Sequence, residues 1–287
     1  MKNNLSRYYR IQNLLHSFFL LAGMFSLLGL IGWLVAGYIG LIWALAACAI
    51  LLMIIPGSSS RIILYLYGAR PFSPNQLTNI IDWLTGQSHL SDTPKLYYIP
   101  RPSLLAFSVG LKKEKAIAIS DGMIRALNMR ELAAVLAHEV SHIQSKDLWV
   151  MAVANVINQI TSLMALFGYL MILFYLPLLI LQQESIPWLL LVILIFTPSL
   201  SALMQLALSR TREFNADRLA VNLTGDPQGL ISALKKMQRY ESWLKHILLP
   251  GLRVPELSLL RTHPITEERI RRLQEIAQQD DHLLNVE

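Results

Sequence analysis

His138-Glu139-Val140-Ser141-His142 is the stretch on which the reading of this chain turns. On a helix, residues four apart stand one turn above each other on the same face, so both imidazoles can reach one metal ion. Glu139 follows the first of them, where it can take a proton from an attacking water. This is the pattern of a zinc hydrolase, with two His ligands and a Glu general base. Chance is the competing explanation. With seven His in 287 residues, a random HExxH is expected in about one such chain in a hundred. The flanks lower that further. Asn128-Met129-Arg130-Glu131 has the form of a capping box, and Leu132 to Ala137 favour a buried helix. A helix over about 129–145 is predicted to carry the motif.

Outward from this stretch the chain turns apolar. It is 54% hydrophobic and 15% charged, against about 25% charged in a soluble domain. No Asp, Glu, Lys or Arg occurs from Ile11 to Ser60, and Glu184 is the one charge between Leu148 and Ser209. Each stretch is long enough for two membrane-spanning helices. Spans are predicted near 14–35, 39–56, 151–181 and 187–208, turning at Gly37 to Gly40 and at Gln182 to Pro187. Buried helices of a large soluble core would not need uncharged runs of this length.

All 25 Lys and Arg lie outside the two apolar stretches, and the hairpin tips carry no positive charge. The positive-inside rule then places both termini, both polar regions and the HExxH helix in the cytoplasm. The net charge of +6 records this asymmetry and suits a surface held against anionic headgroups. Nucleic acid is a poorer partner, because no basic run is interleaved with aromatics. Lys2, Arg7 and Arg10 before an apolar run resemble a signal peptide, but the run is too long and a second span follows at once. A single cysteine, Cys48, excludes an intramolecular disulfide.

The expected fold class is mostly α, with a small α+β catalytic domain of zincin type and four transmembrane helices as two hairpins. The second hairpin is inserted within the catalytic domain. The expected order is a lead-in over 1–13, hairpin one over 14–56, and a first catalytic part over 57–147. Hairpin two over 148–208 and a second catalytic part over 209–287 complete it. Pro56-Gly57-Ser58-Ser59-Ser60 should end the first hairpin. Helix is expected from Ser73-Pro74 to Gly86. Strands are expected over Lys95–Ile99, Leu104–Val109 and Lys115–Ser120, the last two as a hairpin. Helices follow over about 122–127, up to Leu223, over about 227–244 and over about 265–279, with a frayed tail at 280–287.

Two histidines leave a tetrahedral zinc one protein ligand short. Glu213 is the best candidate: it opens a helix with Asp217 one turn on, as a ligand and its supporting carboxylate would. An ordinary solvated Arg/Glu/Asp helix has the same spacing. With HExxH, the apolar hairpin and Ser209-Arg210-Thr211-Arg212-Glu213-Phe214-Asn215-Ala216-Asp217 together, the chain resembles the HtpX-type membrane zinc metallopeptidases. These are relatives of the type I CAAX prenyl proteases and of the mitochondrial stress protease Oma. The resemblance covers essentially the whole chain, and its motifs are specific as a pair.

It implies one Zn2+ per chain held by His138, His142 and Glu213, Glu139 as general base, and Asp217 behind a ligand. It also implies a bacterial inner membrane and membrane-protein or unfolded polypeptide substrates in quality control. Asp147 stands where the family also has Asp, although a polar residue ending a helix would look the same. His263-Pro264 with Glu268-Arg269-Ile270 resembles the family's His-Pro…Glu-Arg-Ile segment, which would bring His263 near the scissile carbonyl; a turn His before Pro is the plainer explanation. The family's Asn-Ala-Phe-Ala edge strand is here Leu105-Ala106-Phe107-Ser108. Backbone pairing of substrate with Ala106, Phe107 and Ser108 survives this change, while the Asn side-chain contact does not. Two other functions compete: a zinc-binding membrane scaffold without peptidase activity, and a CAAX-type processing protease. A closed structural site would want a fourth protein ligand, and the CAAX relatives have more spans.

Overall fold

A computed structural model describes residues 2–73, 76–110, 115–181, 188–248 and 266–284. The described chain is mostly helical: α1 (Lys2–Leu66), α2 (Gln76–Gln87), α3 (Asp121–Ala126), α4 (Met129–Gln144), α5 (Asp147–Leu181), α6 (Trp188–Thr224), α7 (Pro227–Leu248) and α8 (Thr266–Leu284). Four short strands, β1 (Arg70–Pro71), β2 (Lys95–Ile99), β3 (Ala106–Val109) and β4 (Ala116–Ser120), form one sheet in the order β1-β2-β4-β3. Contacts divide the chain into two compact units.

The first unit is Met1–Ile55 with Val150–Thr211. Among the described residues, three helical stretches are long and apolar enough to cross a membrane: Ile11–Ile54, Asp147–Phe174 and Val192–Thr224. The first leaves helical geometry at Ala36 and Gly37, Gly37 taking φ 61°. The arms on either side then close on each other. A Cβ on Gly32 would lie 2.8 Å from the Gly40 carbonyl oxygen, so only glycine permits this approach. Inside the unit, Met24, Leu28, Ala44, Cys48, Val156, Ile157 and Leu208 are buried together. Its periphery is apolar too: Phe18, Phe19, Trp43, Met53, Phe174 and Phe196 are all exposed. An apolar exterior of this extent calls for lipid rather than water.

The second unit is Pro56–Trp149 with Arg212–Glu287. β2 and β4 run parallel, while β3 pairs with β4 antiparallel in the register Ala106↔Ile119 to Val109↔Ala116. The expected hairpin is therefore present. Its strands begin at Ala106 and Ala116, slightly inside the expected bounds. The two-residue β1 and the parallel pair carry no hairpin signal in the sequence and were not anticipated. Among the described residues, β3 closes the sheet order with an unpaired edge.

Helices α2, α3, α4, α7 and α8 share one apolar core with the sheet, including Leu77, Ile81, Leu84, Ile117, Ile119, Leu132, Leu136, Val140, Leu230, Leu234 and Leu273. α4 is buried along nearly its whole length, so its start must be fixed from within. Asn128 Oδ1 accepts from Glu131 N at 2.9 Å, and Glu131 Oε2 accepts from Asn128 N at 2.9 Å. The buried Glu131 also accepts from Ser232 (2.6 Å) and Lys236 (2.7 Å), which ties α7 to the same end. α1 runs on through Pro56–Ser60 to Leu66. One expectation differs: α8 runs on to Leu284 instead of ending near 279. From Thr266 to Leu284 there is no Gly or Pro to stop a helix. A single Pro removes one backbone bond without preventing helix on both sides.

Candidate metal centre

The capped start of α4 sets the rotation of its last two turns, where His138 and His142 project from one face. Their rings stand edge to face, with centroids 4.7 Å apart. The end of α6 supplies Glu213 opposite them. The distance from His138 Nε2 to His142 Nε2 is 3.1 Å. Glu213 Oε2 lies 3.3 Å from His138 Nε2, and Glu213 Oε1 lies 3.6 Å from His142 Nε2. A tetrahedral zinc with bonds of about 2.0–2.1 Å has ligand-to-ligand edges of about 3.3–3.4 Å. Two imidazole nitrogens and a carboxylate at these spacings therefore match one face of such a polyhedron. Among the described residues, His138, His142 and Glu213 form a group whose ligand atoms all lie within 4.8 Å of one another.

The outer ring nitrogens both face carboxylates. His142 Nδ1 is 2.9 Å from Asp147 Oδ2, and His138 Nδ1 is 2.9 Å from Asp217 Oδ1. Each pairing favours the tautomer that leaves Nε2 free for a metal. The two carboxylates are in turn held by buried arginines. Arg212 Nη1 donates to Asp147 Oδ1 at 2.8 Å. Arg269, from α8, donates to both oxygens of Asp217, at 2.7 and 2.6 Å, and its Nη1 lies 3.3 Å from Glu213 Oε2. Without a metal, burial works against a charge on His138. The Asp217 and Glu213 carboxylates outweigh this, against opposition from Arg269, and the pKa is pushed up to about 10.

Glu139 is buried, within electrostatic reach of Arg269. Ala106, Phe107 and Ser108 form most of β3, the edge strand, with Phe107 against the Tyr67 ring at a centroid distance of 5.0 Å. The expectation for His263 falls outside the described residues. Arg212 and Arg269 are the site residues that sequence reasoning missed. Arg212 lies beside Glu213 in the quoted motif and looks like one more surface cation. Arg269 interrupts the buried face of α8 next to Ile270 and Leu273, and an arginine on an apolar stripe is the signal that could have found it.

Residues 72–277 match the family model described as Peptidase family M48. The chain belongs to peptidase family M48. It is similar to the Protease HtpX homolog of Ralstonia pickettii (strain 12J), 30% identical, covering 93% of this chain and 97% of the relative. Against Protease HtpX of Legionella pneumophila (strain Lens) it is 32% identical over 91% of this chain and 98% of the relative. In fold it is similar to the crystal structure of S. mikatae Ste24p, with a TM-score of 0.51 at 21% identity. That match covers 81% of this chain and 56% of the Ste24p chain. As an M48 peptidase the chain is a membrane metallopeptidase, a hydrolase of peptide bonds, with apolar helices that make it a multi-pass membrane protein.

Proposed function

We propose that this M48 peptidase is a zinc-dependent endopeptidase of the bacterial inner membrane. On this reading it degrades misfolded or damaged membrane proteins at the cytoplasmic face. The observation that carries it is the convergence of His138, His142 and Glu213 at tetrahedral spacing. These three would hold one zinc per chain. When bound, zinc would supply Lewis-acid polarisation of the scissile carbonyl and make water acidic near neutral pH. Glu139 takes the proton from the attacking water and gives it to the leaving amine. Asp147 and Asp217 orient the histidines, and Arg212 and Arg269 hold those aspartates in place. The substrate lies extended along β3, pairing with Ala106, Phe107 and Ser108 through their backbone. His263 would stabilise charge developing on the carbonyl oxygen.

The proposed topology has four spans in two hairpins. Ile11–Ile54 counts as two because of its break at Ala36 and Gly37, and the second hairpin, over 148–208, interrupts the catalytic domain. The absence of positive charge from the tips supports termini and a site in the cytoplasm. The test is zinc analysis of the purified chain, followed by casein digestion with and without a chelator. About one zinc per chain and chelator-sensitive digestion are expected. Zinc retained with no digestion would favour the scaffold function, and cleavage confined to prenylated C-terminal peptides would favour the CAAX-type one.

A further inference from the structure

A cavity of about 500 Å³ opens beside His142, and its lining includes His89, Gly110, Lys115, Gln144 and Lys146. Three of these side chains are cationic or can become so. Among the described residues, none of the three is paired with a carboxylate. Of the described acids nearby, Asp147 is already engaged by His142 and Arg212, and exposed Asp92 accepts from Ser91.

The backbone beneath two of these cations is unusual. Among the described residues, His89 (φ 52°) and Lys146 (φ 56°) are the non-glycine residues in the left-handed region. Each follows the end of a helix, α2 and α4 respectively, where Gly or Asn would normally relieve the turn. The helix dipole favours a cation there but does not favour a side chain with left-handed φ. Gln144 Nε2 donates to the Ser88 carbonyl at 3.0 Å and joins the two helix ends. Strained backbone of this kind is retained where the side chain it presents has a use. Both presentations converge on one cavity.

The cavity shares His142 with the metal centre, and its lining includes Gly110, the residue that follows edge strand β3. On the function proposed above, a polypeptide paired along β3 and continuing past Val109 would run towards it. We propose that the cavity is a specificity subsite for a carboxylate side chain of the polypeptide being cleaved, received by Lys115, Lys146 and His89. This rests on the peptidase function proposed above. It gives the enzyme a preference for Asp or Glu at one fixed distance from the scissile bond.

The experiment is digestion of a random peptide library by the purified, zinc-loaded full chain, with products sequenced by mass spectrometry. Asp and Glu should be enriched at a single position on one side of the scissile bond. In the double variant Lys115→Glu/Lys146→Glu, the enrichment should fall roughly five- to tenfold and Lys or Arg should replace them there. Zinc content of the variant should match the parent, and its melting temperature should fall by no more than about 5 °C for the cation lost from the end of α4, which separates a lost preference from a lost fold. Cleavage without acidic preference, or a preference that survives the double substitution, would overturn this inference alone. No cleavage by the zinc-loaded parent would overturn the peptidase function and the subsite with it.

Discussion

Arg269 grips Asp217 through two hydrogen bonds, Nε to Oδ2 at 2.7 Å and Nη2 to Oδ1 at 2.6 Å, both buried. Asp217 faces His138 with the same Oδ1. The C-terminal helix α8 thereby reaches the proposed metal centre without contributing a ligand. A buried carboxylate stripped of its arginine is an uncompensated charge, and breaking such a pair costs about 3–5 kcal/mol. Arg269→Met should therefore lower the melting temperature and weaken zinc about 10- to 100-fold. Arg269→Lys keeps the charge and loses the fork, so it should fall between the two. Metal titration with a chromogenic chelator, beside a thermal melt, reads both. Unchanged zinc affinity in Arg269→Met would remove α8 from the account of the site.

The second chain of contacts, Arg212 to Asp147 to His142, is the counterpart of the first. Asp147→Asn can present the wrong hydrogen-bonding group to His142 Nδ1 and favour the wrong tautomer. Zinc affinity should drop about 10- to 100-fold, as for Asp217→Asn. Both aspartates act on one metal through neighbouring histidines, so the double variant should depart from additivity by about 0.5–3 kcal/mol. Wild-type affinity in Asp147→Asn would leave Asp147 as a structural helix-start residue.

The metal-free centre holds a proton at His138, because the carboxylates around it raise its pKa to about 10. The sign follows from competition. Zinc needs the free nitrogen, so loading expels a proton throughout the neutral range. Affinity should rise about tenfold for each pH unit between 6 and 8. For the metal-free protein the same raised pKa stabilises the fold. That contribution is complete below about 6.5, the ordinary His value, and is lost as pH rises through about 10. Calorimetric titration in buffers of different ionisation enthalpy measures the proton release, and a pH-independent affinity would contradict it.

Much of this was legible in local sequence. The α4 helix follows from Asn128 and Glu131, and β2 falls on Lys95–Ile99, the run read as a strand. The approach of Glu213 to His138 and His142 follows from the motif pair and its resemblance to a family, and not from spacing alone. What escaped depends on distant chain. β2 and β4 pair in parallel although neither strand names its partner. Arg212 and Arg269 look solvated until the fold buries them against Asp147 and Asp217. The left-handed backbone at His89 and Lys146 is equally silent, because neither residue type announces such a turn.

The central claim is that Glu139 moves the proton while His138, His142 and Glu213 hold the metal. Glu139→Gln keeps the size of the side chain and removes the base. One preparation of this variant, zinc-loaded and given an unfolded substrate beside the parent, tests the claim most directly. The account predicts parental zinc content with a rate lower by about 100- to 10,000-fold. A Glu139→Gln protein that digests the substrate as fast as its parent would contradict it.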